Sequence, residues 1–169
     1  MSVRFGPTLA EFFDSTEGGV QGMKATLLLR RDHDTLRSLF GQLRKPTRGN
    51  GRTAYFEQLR QEFGMHAQIE RELFYPELRN TPSTRAHELV ETALRQHEEI
   101  DKLIDNIVQH SASGKVDDQI AAFFERAEEH LEFEEDEIFE EARQQFSEYR
   151  MEELGLEMEE RRRLLQRAA

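Results

Sequence analysis

Two stretches of this chain carry the residues most able to do chemistry: HAQIERELFYPEL at 66–78 and HLEFEEDEIFEEA at 130–142. Each reads His, then Glu four residues on, then two adjacent apolar residues, then an acid. His66, Glu70, Phe74, Tyr75 and Glu77 fall 64 positions before His130, Glu134, Ile138, Phe139 and Glu141. On a helix, residues four apart share one face, so each stretch presents an imidazole and a carboxylate side by side. Two further histidines, His33 and His97, also lie 64 apart, each before an apolar run.

These polar residues fall inside apolar stripes. Leu29, His33, Leu36 and Phe40 form one stripe, and Leu59, Phe63, His66, Glu70 and Phe74 a second. Ala93, His97, Ile100 and Ile104 form a third, and Phe123, Ala127, His130, Glu134 and Ile138 a fourth. Four imidazoles and two carboxylates are therefore expected to converge inside one bundle. Burying an unpaired carboxylate costs several kcal/mol, and an unsatisfied imidazole about 1–3 kcal/mol. A pair of cations removes that cost, with each carboxylate bridging two metals and the imidazoles as terminal ligands. Mixed nitrogen and oxygen donors suit iron, manganese or zinc better than calcium or magnesium. Glu135, five residues after His130, is an alternative to Glu134 as the bridge, and the match to Glu70 favours Glu134. Glu132, Glu135 and Asp136 otherwise read as a solvated face. His87 and His110 have no counterpart 64 residues away and read as surface or capping residues.

The elements that must position these groups are helices. Steps of three and four between apolar residues mark four long helical segments. Breaks are expected at KPTRGNG (45–51), RNTPS (79–83) and SASGK (111–115), where Gly, Pro, Ser and Asn gather. Short connections make successive helices antiparallel. Leu36, Leu39, Phe40 and Leu43 match Ile100, Leu103, Ile104 and Ile107 at the same offset, and Leu59 and Phe63 match Phe123 and Ala127. The expected fold is therefore all-α: an up-down-up-down four-helix bundle built from two copies of a helical hairpin, plus a C-terminal helix. The expected organisation is an N-terminal extension at 1–22, the bundle at 23–146 and a charged helical extension at 147–169, with a break near Gly155. Phe12 and Phe13 form an apolar patch that could cover the site.

The 169 residues include 34 acidic and 23 basic side chains, a formal net charge of −11. That balance argues against nucleic acid and anionic membrane surfaces as partners. There is no Cys, so thiolate metal sites and thiol nucleophiles are excluded. The first residues lack the apolar run of a secretory signal, and no stretch reaches the roughly 18 apolar residues of a membrane span. A cytoplasmic location is the expectation.

The ordered set RRDHDTLRSLF, HAQIERELFYPEL, RQHEEIDKLI and HLEFEEDEIFEEA resembles the hemerythrin-like, HHE cation-binding family across roughly residues 24–146. The resemblance implies a non-haem di-iron centre with an oxo or hydroxo bridge, for which zinc or manganese could substitute. It implies that His33 and His66 hold one iron, His97 and His130 the other, and that Glu70 and Glu134 bridge them. Oxygen-carrying members place a fifth His one turn after the third-helix His. Here that position is Asp101, a candidate additional ligand. The four-His, two-Glu set is similar to the bacterial stress-response and iron-sensing members. The expected small-molecule ligand is dioxygen, peroxide or nitric oxide, with reaction favoured over storage. Reversible oxygen binding or sensing, and iron sensing through a partner protein, are the alternatives.

Overall fold

The computed structural model describes residues 23–45, 51–110 and 116–168. Five helices account for nearly all of them. Helix α1 is Ala25–Leu43. Helix α2 starts as Gly51–Ile69, passes through one wide π-helical turn at Glu70–Phe74 and ends as Tyr75–Arg79. Helix α3 is Thr84–His110. Helix α4 repeats the pattern of α2, with Val116–Phe133, a π-helical turn at Glu134–Ile138 and then Phe139–Gln145. Helix α5 is Glu148–Ala168. The expected break at 45–51, apart from its two end residues, the break at 111–115, and the patch at Phe12 and Phe13 lie outside the described residues. No described helix is long and apolar enough to cross a membrane.

Ser83 and Ser147 stand 64 residues apart and start α3 and α5 in the same way. The Ser83 hydroxyl accepts the Ala86 N–H at 3.1 Å, and that of Ser147 accepts the Arg150 N–H at 3.2 Å. Each satisfies one of the free N–H groups at a helix start.

The apolar stripes close into two clusters. Leu36, Phe40, Leu59, Phe63, Ile100, Ile104, Phe123 and Ala127 belong to one. Leu28, Leu29, Phe74, Leu78, Val90, Ala93, Ile138 and Phe139 belong to the other. The first takes the ends of α1 and α3 and the beginnings of α2 and α4; the second takes the reverse. Successive helices therefore run antiparallel, and the hairpins α1–α2 and α3–α4 pack together as expected. His33, His66, Glu70, His97, His130 and Glu134 occupy the level between the two clusters.

Helix α5 packs on α1 and α2 and contributes Met151, Leu154 and Met158 to the second cluster. It is continuous through Gly155, where the sequence suggested a break. Gly155 is fully inside the packed face, and a Cβ there would collide with the Met23 carbonyl oxygen and lie 3.0 Å from the Ala25 nitrogen. The glycine serves a close backbone approach rather than a helix end. Gly155→Ala is expected to destabilise the protein by roughly 1–3 kcal/mol through overpacking. Urea unfolding measures this, and an unchanged or raised midpoint would contradict it.

Candidate metal centre

All six expected ligand residues have side chains with 0% exposure. Their donor atoms converge. Glu134 Oε2 lies 3.2 Å from His33 Nε2, 3.6 Å from His66 Nε2 and 3.5 Å from His130 Nε2. Glu70 Oε2 lies 3.3 Å from both His66 Nε2 and His97 Nε2. Each carboxylate thus reaches imidazoles of both hairpins. Two groups of donor atoms lie within 4.8 Å of one another: His33, His66, Glu70 and Glu134 in one, Glu70, His97 and His130 in the other.

The two π-helical turns begin at the two glutamates. The Tyr75 N–H donates to the Glu70 carbonyl, and the Phe139 N–H to that of Glu134, each five residues back. In a regular α-helix, five steps of about 100° would carry the fifth residue well round from the first. The wider turn brings Tyr75 and Phe139 back over the centre. Tyr75 donates its hydroxyl to Glu134 Oε1 at 2.6 Å, with Glu70 Oε2 at 3.3 Å. Phe139 stacks on the His33 ring at 5.5 Å. Pro76 removes one helical N–H in α2, yet α4 makes the same turn with Glu140 at that place. The turn follows the His-Glu geometry rather than the proline, as π-bulges at functional sites commonly do.

The outward ring nitrogens of His33 and His130 are hydrogen-bonded from behind. His33 Nδ1 donates to Glu135 Oε1 at 2.8 Å, and Arg37 Nη1 donates to the same oxygen at 2.7 Å. His130 Nδ1 donates to Gln96 Oε1 at 2.9 Å. His66 Nδ1 faces Asp32 Oδ2 at 3.8 Å, and Arg162 of α5 pairs with that carboxylate. A proton held on Nδ1 leaves the Nε2 lone pair pointing inward, the form an imidazole needs to bind a metal. Hydrogen bonds from His33 and Arg37 bring the Glu135 carboxyl down to about 2, so it stays ionised. Glu135 is therefore neither a bridge nor part of a solvated face: it braces His33. Glu132 and Asp136 are exposed as expected.

The charges inside do not balance without a further group. Burial, then the neighbouring Glu134 charge, pushes the Glu70 carboxyl well above the usual carboxylate range. Burial also acts to raise Glu134, but His130, His33 and His66 outweigh it and hold that carboxyl well below the range. Burial lowers His130 to about 4, and burial with the nearby His130 depresses His97. His33 Nε2, His66 Nε2, Glu70 Oε1 and Glu134 Oε2 are buried with no hydrogen-bond partner. Native interiors rarely leave such atoms unpaired, and these four belong to one group of donors. The residue set fits a metal centre on that ground.

Asp101 joins neither group. It is half exposed and receives a hydrogen bond from Arg71 Nη2 at 2.8 Å. His87 and His110 are exposed and pair with the carbonyls of Thr81 and Asn106. The sequence reading did not place Tyr75, Asp32 or Gln96 at the site, and it offered Glu135 only as an alternative bridge. The signal for Tyr75 was present in the two adjacent apolar residues after each His-Glu pair, since a regular helix would not turn both inward.

The family model for the hemerythrin HHE cation binding domain matches residues 25–142. A crystal structure of a hemerythrin HHE cation binding domain-containing protein from Mycobacterium kansasii is similar, with a TM-score of 0.74 and 24% identity. The match covers 86% of this chain and 89% of that one, a likeness of fold. No curated protein matches the chain.

The Tyr75 bond to the buried Glu134 carboxylate generates a prediction. The matching position is Phe139, so Tyr75→Phe removes a hydroxyl without changing shape. The metal-free variant should lose about 1.5–3 kcal/mol, the range for a hydrogen bond to a charged group. An unchanged urea midpoint would contradict it.

Proposed function

The chain belongs to the hemerythrin HHE cation-binding family, and from that premise we propose that its centre holds two iron ions and reacts with peroxide, nitric oxide or dioxygen. The observation that carries this reading is the set of six converging side chains at 0% exposure with orphaned donor atoms. His33 and His66 would hold one ion, His97 and His130 the other, and Glu70 and Glu134 would lie between them. A dinuclear iron centre supplies redox chemistry and coordination positions for a small ligand.

The chain's own part is to bind, orient and dry that centre. Phe63 packs beside His66, His97 and His130 at 6.0–6.4 Å between ring centroids, and Phe139 covers His33. Such apolar walls suit a small ligand better than a large polar substrate. Tyr75 keeps a proton at Oη, 2.6 Å from Glu134. Burial, then the two glutamate charges, drives its ionisation well above the usual phenol range, so the proton stays in place at neutral pH. It is the buried hydroxyl nearest the carboxylates and can orient a bound ligand or donate to it. The same dry lining favours a second reading, reversible oxygen binding, because exclusion of water also protects a bound ligand.

Purified protein should contain two irons per chain, and its reduced form should consume peroxide or react with nitric oxide. Rapid mixing with optical detection separates the readings. A long-lived oxygenated spectrum that reverses under vacuum, with no peroxide consumed, would favour carriage instead. His87→Ala and His110→Ala should keep the metal content of the parent protein, whereas Glu70→Ala or Glu134→Ala should lose at least one ion. Full retention of both ions in the double glutamate variant would overturn the bridging assignment.

A further inference from the structure

The inward atoms of the two hairpins repeat closely, but the groups behind them do not. Asp32 stands behind His66, and its match 64 residues on, Gln96, stands behind His130. Glu135 accepts from His33 Nδ1, and its match is Arg71, which pairs with Asp101. Arg37, which fixes Glu135, has Asp101 as its own match. The supporting ion pair is thus written with opposite sign in the two hairpins. His66 Nδ1 and His97 Nδ1 are both buried without a hydrogen bond, but His66 Nδ1 has the Asp32 carboxylate 3.8 Å away.

Resting on the dinuclear metal reading above, we infer that the two hairpins hold metal unequally: the position between His33 and His66 is tight, and that between His97 and His130 is labile. A carboxylate behind an imidazole raises its basicity and fixes its orientation, and losing such a partner commonly weakens metal binding about 10–100-fold. Both first-hairpin histidines face carboxylates. Arg162 pairs with Asp32, and Arg37 and Arg30 reach Glu135, so both carboxylates are held in place behind the imidazoles. In the second hairpin, one histidine has only a neutral amide behind it and the other has nothing.

His97 carries a further handicap. Its Nε2 lies 2.9 Å from His130 Nε2. His130 holds its own proton on Nδ1 toward Gln96, so the proton between the two Nε2 atoms belongs to His97. Binding a metal through Nε2 moves that proton to Nδ1, where no acceptor stands. His33 has Glu135 waiting at the same place. The Arg71 guanidinium also brings positive charge near His97, at the place that matches the one where Glu135 brings negative charge to His33.

The test titrates metal-free protein with cobalt(II) against a competing chelator, following the visible cobalt bands. Repulsion between two cations alone would separate two binding steps, so variants assign each step to a hairpin. His130→Ala should keep the tight step and lose the weak one, and His66→Ala should lose the tight step. Glu135→Gln should weaken the tight step about 10-fold or more and leave the weak step in place. The paired exchange Arg71→Glu with Asp101→Arg gives the second hairpin the ion pair of the first. Both residues are partly exposed, with side chains 37% and 48% accessible, so the core is untouched. The exchange should draw the two constants together, an effect a merely structural role would not produce. Tight binding that survives in His66→Ala, or constants unmoved by the exchange, would overturn the inequality and leave the dinuclear reading standing. Absence of cobalt uptake by the folded parent protein would overturn both.

Discussion

The structure depends on one electrostatic constraint. Two carboxylates and four imidazoles lie at 0% exposure in the middle of a small bundle, and much of what they need is not supplied by the chain. Taking a carboxylate out of water costs several kcal/mol, and a second one a few ångströms away raises the cost again. The chain meets part of that cost with Tyr75, Glu135, Gln96 and Asp32, which satisfy or face the outer atoms of the cluster. The inner atoms are left for something positively charged. The two apolar clusters, one above and one below the polar level, close the bundle around it and exclude water.

Helix α5 belongs to the same design. Its apolar residues complete one cluster, and the absence of a Cβ at Gly155 allows it close to the start of α1. That seat carries Arg162 to Asp32, one residue before His33 and directly behind His66. Arg162 also reaches Glu62 at 3.5 Å, so a single buried guanidinium joins α5 to both helices of the first hairpin. Among the described residues, no ion pair joins α5 to the second hairpin. A helix that the sequence presents as a charged appendage is, in the fold, part of the frame around one half of the centre.

The bundle was legible because burial leaves a periodic trace. Leu36, Phe40 and Leu43 repeat as Ile100, Ile104 and Ile107, and polar residues interrupting such a stripe in matched pairs stand out without any coordinates. The inward His and Glu residues were legible for the same reason. What periodicity cannot carry is a change of period. The π-helical turns at Glu70 and Glu134 add one residue to a turn, and Tyr75 then faces a centre it would otherwise miss. Side chains reaching in from another helix leave no trace either. Glu135 sits within the acidic run EFEEDEIFEE, and only the packing of α4 against α1 shows that it braces His33. Gly155 read as a helix break because its close neighbour, Met23, is far away in sequence.

Anomalous X-ray scattering at the iron edge, from crystals of iron-loaded protein, addresses the polar level directly. Two peaks are expected inside the bundle, one beside the Nε2 atoms of His33 and His66 and one beside those of His97 and His130, with Glu70 and Glu134 between them. Peaks confined to surface carboxylates, with none among these six side chains, would contradict the reading of the buried cluster as a metal centre.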